Sequence, residues 1–225
     1  MSKENILSKI NKMSKKELLC LARNTSDVEI LNILAVNANY EVRWAIVKNR
    51  STSADVLAVL AKDEVYGVRT AIAANGNTSA DVLAMLASDK CWWVRHNVAN
   101  NKNTPAKVLA MLVKDKNKYV REIVAWNENT PNELLSALAK DDEWCVRVSV
   151  AKNINTSAEV LAMLATDEDY HVREAVAENK TEIHLLIRLL CLQKTKIVMF
   201  VVRLLKIKIQ VSKHLLCFQK TRNYV

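Results

Sequence analysis

Asn77-Thr78-Ser79-Ala80-Asp81-Val82-Leu83-Ala84-Met85-Leu86-Ala87-Ser88-Asp89, continued by Val94-Arg95, Val98-Ala99 and Asn101, is the stretch that decides the fold. Its Val-Arg pair recurs at Val42-Arg43, Val68-Arg69, Val94-Arg95, Val120-Arg121, Val146-Arg147 and Val172-Arg173, always 26 residues further on. A fixed period of this size, kept without insertion, means stacked supersecondary units. A single unit cannot bury its apolar face, so stacking is what lets it fold.

Each unit carries two helical signals. The first begins at Thr52, Thr78, Thr104, Thr130 or Thr156, with Ser26 in the earliest unit. A hydroxyl there is expected to accept a backbone N–H that the first helical turn leaves unpaired. Glu29, Asp55, Asp81, Glu133 and Glu159 follow three residues later, which is capping-box spacing, and Lys107 is the exception. Pro105 and Pro131 come directly after the hydroxyl, at the helical position that needs no N–H. Leucines three apart, Leu57/Leu60 and Leu83/Leu86, supply one buried stripe. The second segment, Val-Arg-x-x-Val/Ile-x-x-Asn, predicts a helix of two to three turns, and its Asn suits a left-handed cap. The expected architecture is all-α: a solenoid of six 26-residue repeats over residues 24–180, each with one ordinary and one short helix. Residues 1–23 are expected to form an irregular N-terminal cap around a helix from Ser14 to Ala22.

The Leu-Ala-x-Leu-Ala helix, the Asp after it and the Val-Arg-x-x-Val-Ala-x-Asn segment resemble the leucine-rich repeat variant family over about 157 of the 225 residues. The resemblance implies a right-handed superhelix of alternating α and short 3₁₀ helices. That family also knows a cysteine-rich, cluster-binding N-terminal region. Only Cys20 precedes the repeats here, so no iron–sulfur cluster is expected. The Asp-x₄-Val-Arg element resembles HEAT repeats too, although those units are longer.

The composition excludes other classes. Half the residues are apolar, which excludes wholesale disorder, and two glycines with two prolines argue against an all-β chain. The net charge is +9, yet the first 180 residues hold 24 bases and 23 acids, while the last 45 hold nine bases and Glu182 alone. Whole-chain basicity therefore says little about a nucleic-acid partner. The start lacks the apolar core of a secretory signal, and no apolar run spans a bilayer, since Arg188, Lys194 and Lys196 interrupt Ile183 to Val202. Five cysteines without CxxC spacing (Cys20, Cys91, Cys145, Cys191, Cys217) suit a reducing cytoplasm and free, mostly buried thiols, with no metal site.

Residues identical in every unit serve the stacking that every unit shares. Arg43, Arg69, Arg95, Arg121, Arg147 and Arg173 read as one structural column, and Asp63, Asp89, Asp115, Asp141 and Asp167, six residues before an Arg, as its carboxylate partner. The Asn column, Asn49 to Asn179, reads as turn hydrogen bonding. Positions that vary between units are the better partner surface. One residue after each Arg stand Trp44, Thr70, His96, Glu122, Val148 and Glu174, and four further on Lys48, Ala74, Asn100, Trp126, Lys152 and Glu178. Residues four apart share a helix face. Trp44, Lys48, His96, Asn100, Glu122, Trp126 and Lys152 are accordingly the candidate partner-binding face. A further column, Tyr40, Tyr66, Trp92, Lys118, Trp144 and Tyr170, is expected to pack between turns; the other reading is a stacking platform for bases, for which the near-neutral body supplies no positive groove.

No catalytic motif is present: no Gly-rich phosphate loop, no nucleophile elbow, no His-Glu-x-x-His. The sequence predicts a cytoplasmic, monomeric, non-enzymatic scaffold without cofactor that binds an unidentified protein. The alternative is a nucleic-acid-binding HEAT-like protein related to DNA repair. Residues 181–225 contain no Ala, Asp, Gly or Pro. Taken from the last base of one codon through the first two of the next, Met199-Phe200 must spell Val. Pairs around it then permit Val-Arg-x-x-Val-Ala-Lys-Asn-Lys-Asn-Thr-Ser. The tail is therefore expected to be an out-of-frame translation of further repeats, with a basic amphipathic membrane- or RNA-binding helix as the other reading.

Overall fold

A computed structural model describes residues 3–179. They fall into two compact units divided between Thr130 and Pro131. The expectations for the tail lie outside the described residues.

The first unit holds ten α-helices: Lys3–Ile10 (α1), Lys15–Asn24 (α2), Val28–Ala35 (α3), Tyr40–Val47 (α4), Ala54–Leu60 (α5), Tyr66–Ala73 (α6), Ala80–Leu86 (α7), Trp92–Asn100 (α8), Ala106–Leu112 (α9) and Lys118–Trp126 (α10). The second helices of successive repeats pack side by side, α4 on α6, α6 on α8 and α8 on α10. First helices flank them, α3 against α5 and α7 against α9. In the second unit, Asn132–Leu138 (α11), Trp144–Lys152 (α12), Ala158–Leu164 (α13) and Tyr170–Glu178 (α14) repeat the arrangement, with α12 against α14. The described residues contain no strand. The chain is all-α and built of repeated helix pairs.

The core follows the period. Val42, Val68, Val94 and Val120 are fully buried, as are Leu57, Leu83 and Leu109. Each such side chain contributes about 1.5–3 kcal/mol relative to exposure.

Both helices of a unit are α, and the Val-Arg helix is the longer: Ala80–Leu86 has 7 residues and Trp92–Asn100 has 9. The cause lies at the boundary. The conserved-period threonine does not start the first helix but closes the second. Thr78 Oγ1 donates to the Ile72 carbonyl at 2.7 Å, and Thr52, Thr104, Thr130 and Thr156 do the same to the carbonyl six residues back. The cap is the next residue, Ser53, Ser79 or Ser157, whose hydroxyl accepts the N–H three residues on. Pro105 and Pro131 occupy that cap position, and Asp27 rather than Ser26 caps α3. The acids therefore sit one place early for a capping box. A complete box forms only at Ser14 and Glu17 among the described caps, at the start of α2. The first helix, α1, carries no such signal in its sequence.

The Asn caps differ from expectation as well. No described non-glycine residue has positive φ, and Asn101 is extended, at φ −72° and ψ 126°.

Candidate functional site

Buried Arg and Asn side chains form two ladders between repeats. Arg69 Nε and Nη2 donate to Asp89 Oδ2 and Oδ1 at 2.6 and 3.0 Å, so this Arg reaches forward to the Asp of the next repeat. Its Nη1 donates to the carbonyls of Asp63 and Glu64, at 2.7 and 3.0 Å. Arg43 with Asp63, Arg95 with Asp115, and Arg147 with Asp167 repeat this fork. Arg121 Nη1 donates to the Asp115 carbonyl and Arg173 Nη1 to the Asp167 carbonyl. The Asp carboxylates also receive a turn N–H, as Asp89 Oδ1 does from Cys91 at 2.8 Å. Burial by itself would raise the carboxyls of Asp63, Asp89 and Asp115. The guanidinium hydrogen bonds, the turn N–H and nearby positive charge outweigh it, and all three are held below the usual range. The hydrogen bond to its Asp, set against burial, leaves each of Arg43, Arg69, Arg95 and Arg147 raised.

The second ladder is amide-based. Asn101 Nδ2 donates to the Ala73 and Asn75 carbonyls of the preceding repeat at 2.7 and 3.0 Å, and its Oδ1 accepts the Asn103 N–H. Asn49, Asn127 and Asn179 reach back in the same way. The spacing of the column announced a turn; its reach into the neighbouring repeat was not legible without the stack.

The variable positions lie at the surface. Trp44, Lys48, Asn100, Trp126 and Lys152 are exposed, and His96 and Glu122 are half-buried. Lys48 Nζ lies 5.5 Å from the Trp44 ring centroid, a cation–π contact, and Lys152 pairs with Glu178 at 3.5 Å. Trp126 is 55% exposed.

The aromatic column meets its expectation of packing between turns only in part: Trp92 and Trp144 touch rings of the next repeat, but the column is not buried. Tyr40, Tyr66, Trp92, Trp144 and Tyr170 are all exposed, from 38% at Trp92 to 57% at Tyr66. They open the second helices, two residues before the buried Val, which puts them on the opposite side of the helix. Across repeats they meet aromatic side chains one place further along the helix. Trp92 lies 5.8 Å from Tyr119, tilted by 34°, and Trp144 lies 5.1 Å from His171, tilted by 33°. Trp93 stacks on His96 at 4.7 Å and 16°, and meets Trp92 edge-on at 5.2 Å. Burial pushes the His96 imidazole down, and its Nδ1 is enclosed without a hydrogen-bond partner.

Local charge is the signal that the whole-body sum concealed. From Lys90 to Arg121 the chain holds eight bases and one acid, Asp115, which Arg95 already engages. From Glu122 to Asn179 it holds twelve acids and four bases. The cysteines also differ from expectation: Cys20 is exposed, and Cys91 and Cys145 are half-buried free thiols. Among the described residues no three His, Cys, Asp or Glu side chains group as metal ligands. No described helix is long and apolar enough to cross a membrane.

Buried ladders joining successive helix pairs define a helical repeat protein. The chain is similar in fold to a solved structure described as a leucine-rich repeat variant with a novel repetitive protein structural motif. The TM-score is 0.63 at 24% identity, over 86% of this chain and 82% of that one. No family model matches the chain, and no curated protein matches it.

Proposed function

We propose that the protein is a non-enzymatic, monomeric, cytoplasmic scaffold that binds a protein partner through the outward residues of its second helices. The observation that carries this reading is the division of labour along those helices. The residues common to every repeat are spent on stacking, whereas Trp44 and Trp126, at positions that vary, stand exposed in the first unit. Large aromatics held at the surface by a rigid helix are the side chains that dominate binding energy at interfaces, because they bury much area at small entropic cost. The half-buried free thiols Cys91 and Cys145 fit a reducing compartment.

The test is cross-linking and affinity capture with the intact chain, beside a Trp44→Ala/Trp126→Ala variant whose helicity is checked by circular dichroism. A specific protein retained by the parent and lost by the folded variant supports the reading. Equal capture by both chains overturns it.

A further inference from the structure

We propose that the edge formed by Trp92, Trp93, His96 and Tyr119, rimmed by Lys90, Lys114 and Lys116, binds single-stranded nucleic acid. This goes beyond the protein-binding reading and does not depend on Trp44 or Trp126. Three of the four rings, Trp92, Trp93 and Tyr119, are exposed, and they are held in place by each other and by His96. A ring fixed in this way offers a flat face at little entropic cost. Lys90, Lys114 and Lys116 are exposed in the loops that lead into α8 and α10, the helices carrying these rings. Lys118 lies 5.7 Å from the Tyr119 ring centroid and adds cationic character to the same turn.

Stacking faces beside a positive rim are what a strand without base pairing needs, since each base has a π-face and each link a phosphate. A duplex hides the base faces and would use only the lysines. An acidic peptide would also use the lysines and leave the rings idle. The loops add little opposing charge, because the Asp89 and Asp115 carboxylates are already engaged by Arg69 and Arg95.

The probe is a fluorescein-labelled oligothymidine of about 12 nucleotides, within the site size such platforms bind. It is titrated with the full chain in about 0.15 M salt while anisotropy and tryptophan emission are followed. Expected are binding with quenched emission and weaker retention of the matching duplex. Trp92→Ala/Tyr119→Ala should weaken binding about 5- to 100-fold, the span that losing stacked bases implies, and remove much of the quenching. Trp92→Phe/Tyr119→Phe should restore most of the affinity. It also keeps the test decisive if the alanine variant fails to fold. Replacing Lys90, Lys114 and Lys116 by Gln should reduce the slope of log K against log salt by about 2, at 0.7 per phosphate contact. Trp44→Ala/Trp126→Ala should leave oligothymidine binding unchanged, whichever way the protein-capture result falls. Equal affinity and quenching in the parent and the folded alanine variant would overturn the proposal and assign binding to the basic residues of 181–225. So would a duplex bound as tightly as the strand, or an oligoglutamate peptide that displaces the probe and itself quenches the tryptophans.

Discussion

Asp89→Ala removes one side chain and leaves three donors without their acceptor. Arg69 loses bonds of 2.6 and 3.0 Å from Nε and Nη2, and the Cys91 N–H loses its 2.8 Å turn bond. The Arg69 and Asp89 side chains are only 7% and 8% exposed, so water does not freely replace what is lost. Arg69 is also tethered by Nη1 to the Asp63 and Glu64 carbonyls, and cannot swing into solvent without breaking those bonds too. Stranding one partner of a buried pair costs about 3–5 kcal/mol. With a urea dependence of about 2 kcal/mol per molar, the midpoint should fall by roughly 2 M. Far-UV circular dichroism reads the midpoint, and amide exchange in the flanking repeats shows whether the loss spreads along the stack. The double variant Arg69→Met/Asp89→Leu should recover a large part of this, because no charge is left buried. It should still fall about 1–2 kcal/mol short, since the Cys91 N–H and two loop carbonyls stay unpaired. The pH dependence has a definite sign. Asp63, Asp89 and Asp115 have folded carboxyls below the ordinary value, so their stabilisation is complete above the unfolded carboxyl value near 4 and drains away as pH falls through the folded ones. The double variant should lose one rung's share of that acid sensitivity. Additive single variants of Arg69 and Asp89, each costing less than about 1 kcal/mol, would refute the idea that the fork holds adjacent repeats together.

Three further outcomes follow from neighbouring bonds. Asn101→Ala should cost about 2–3 kcal/mol in urea unfolding, because the Ala73 carbonyl and the Asn103 N–H lose their partner in a buried seam, while the Asn75 carbonyl keeps the Thr78 N–H at 3.2 Å. Asn101→Asp should be worse at neutral pH, where it turns a carboxylate toward those carbonyls, and should recover on acidification. Thr78→Val should cost only about 1 kcal/mol: the Ile72 carbonyl that loses the hydroxyl still accepts the Asn75 N–H at 2.9 Å. Burial holds the folded His96 below its unfolded value, near 6.5, so the unfolded chain takes up the proton first and stability declines as pH drops through that value. His96→Phe should flatten this part of the urea midpoint–pH profile; an unchanged slope would show that His96 titrates as if in water.

Period, order and helical character were legible because stacking demands the same apolar positions in every unit, and Val94 or Leu83 can be read from their 26-residue echoes, whereas the length and type of the second helix were not. Nor were boundaries. A Thr followed by a Ser offers two hydroxyls, and only the three-dimensional path shows that Thr78 closes one helix while Ser79 opens the next. The Arg ladder carried a related ambiguity. Arg69, Arg95 and Arg147 each have one Asp six residues before and another twenty after, and the chain uses the first for its carbonyl and the second for its carboxylate. Nothing in the spacing separates those roles. The aromatic column misled for a different reason: an aromatic at a regular interval signals burial only if its position faces the core. Tyr66 and Trp92 stand two residues before the buried Val68 and Val94, and so on the opposite side of their helices.

A net charge is a poor guide to a partner because a bound strand or peptide feels only what lies within about a Debye length, near 8 Å at physiological ionic strength. The near-neutral first 180 residues include a stretch with eight bases and one acid and a later one with twelve acids and four bases. Neither stretch behaves as the sum does. The rings of Trp92, Trp93 and Tyr119 fall in the first, so a platform for stacking and a rim for phosphates coincide there, whereas Trp144 and Tyr170 stand among carboxylates such as Asp142 and Glu168. The same exposed aromatic column therefore meets opposite electrostatic surroundings in the two units. Stacking alone would allow either unit to hold a base; phosphate repulsion disfavours the second. That contrast gives the binding proposal an internal control: Trp92→Ala should matter to a single strand, and Trp144→Ala should not.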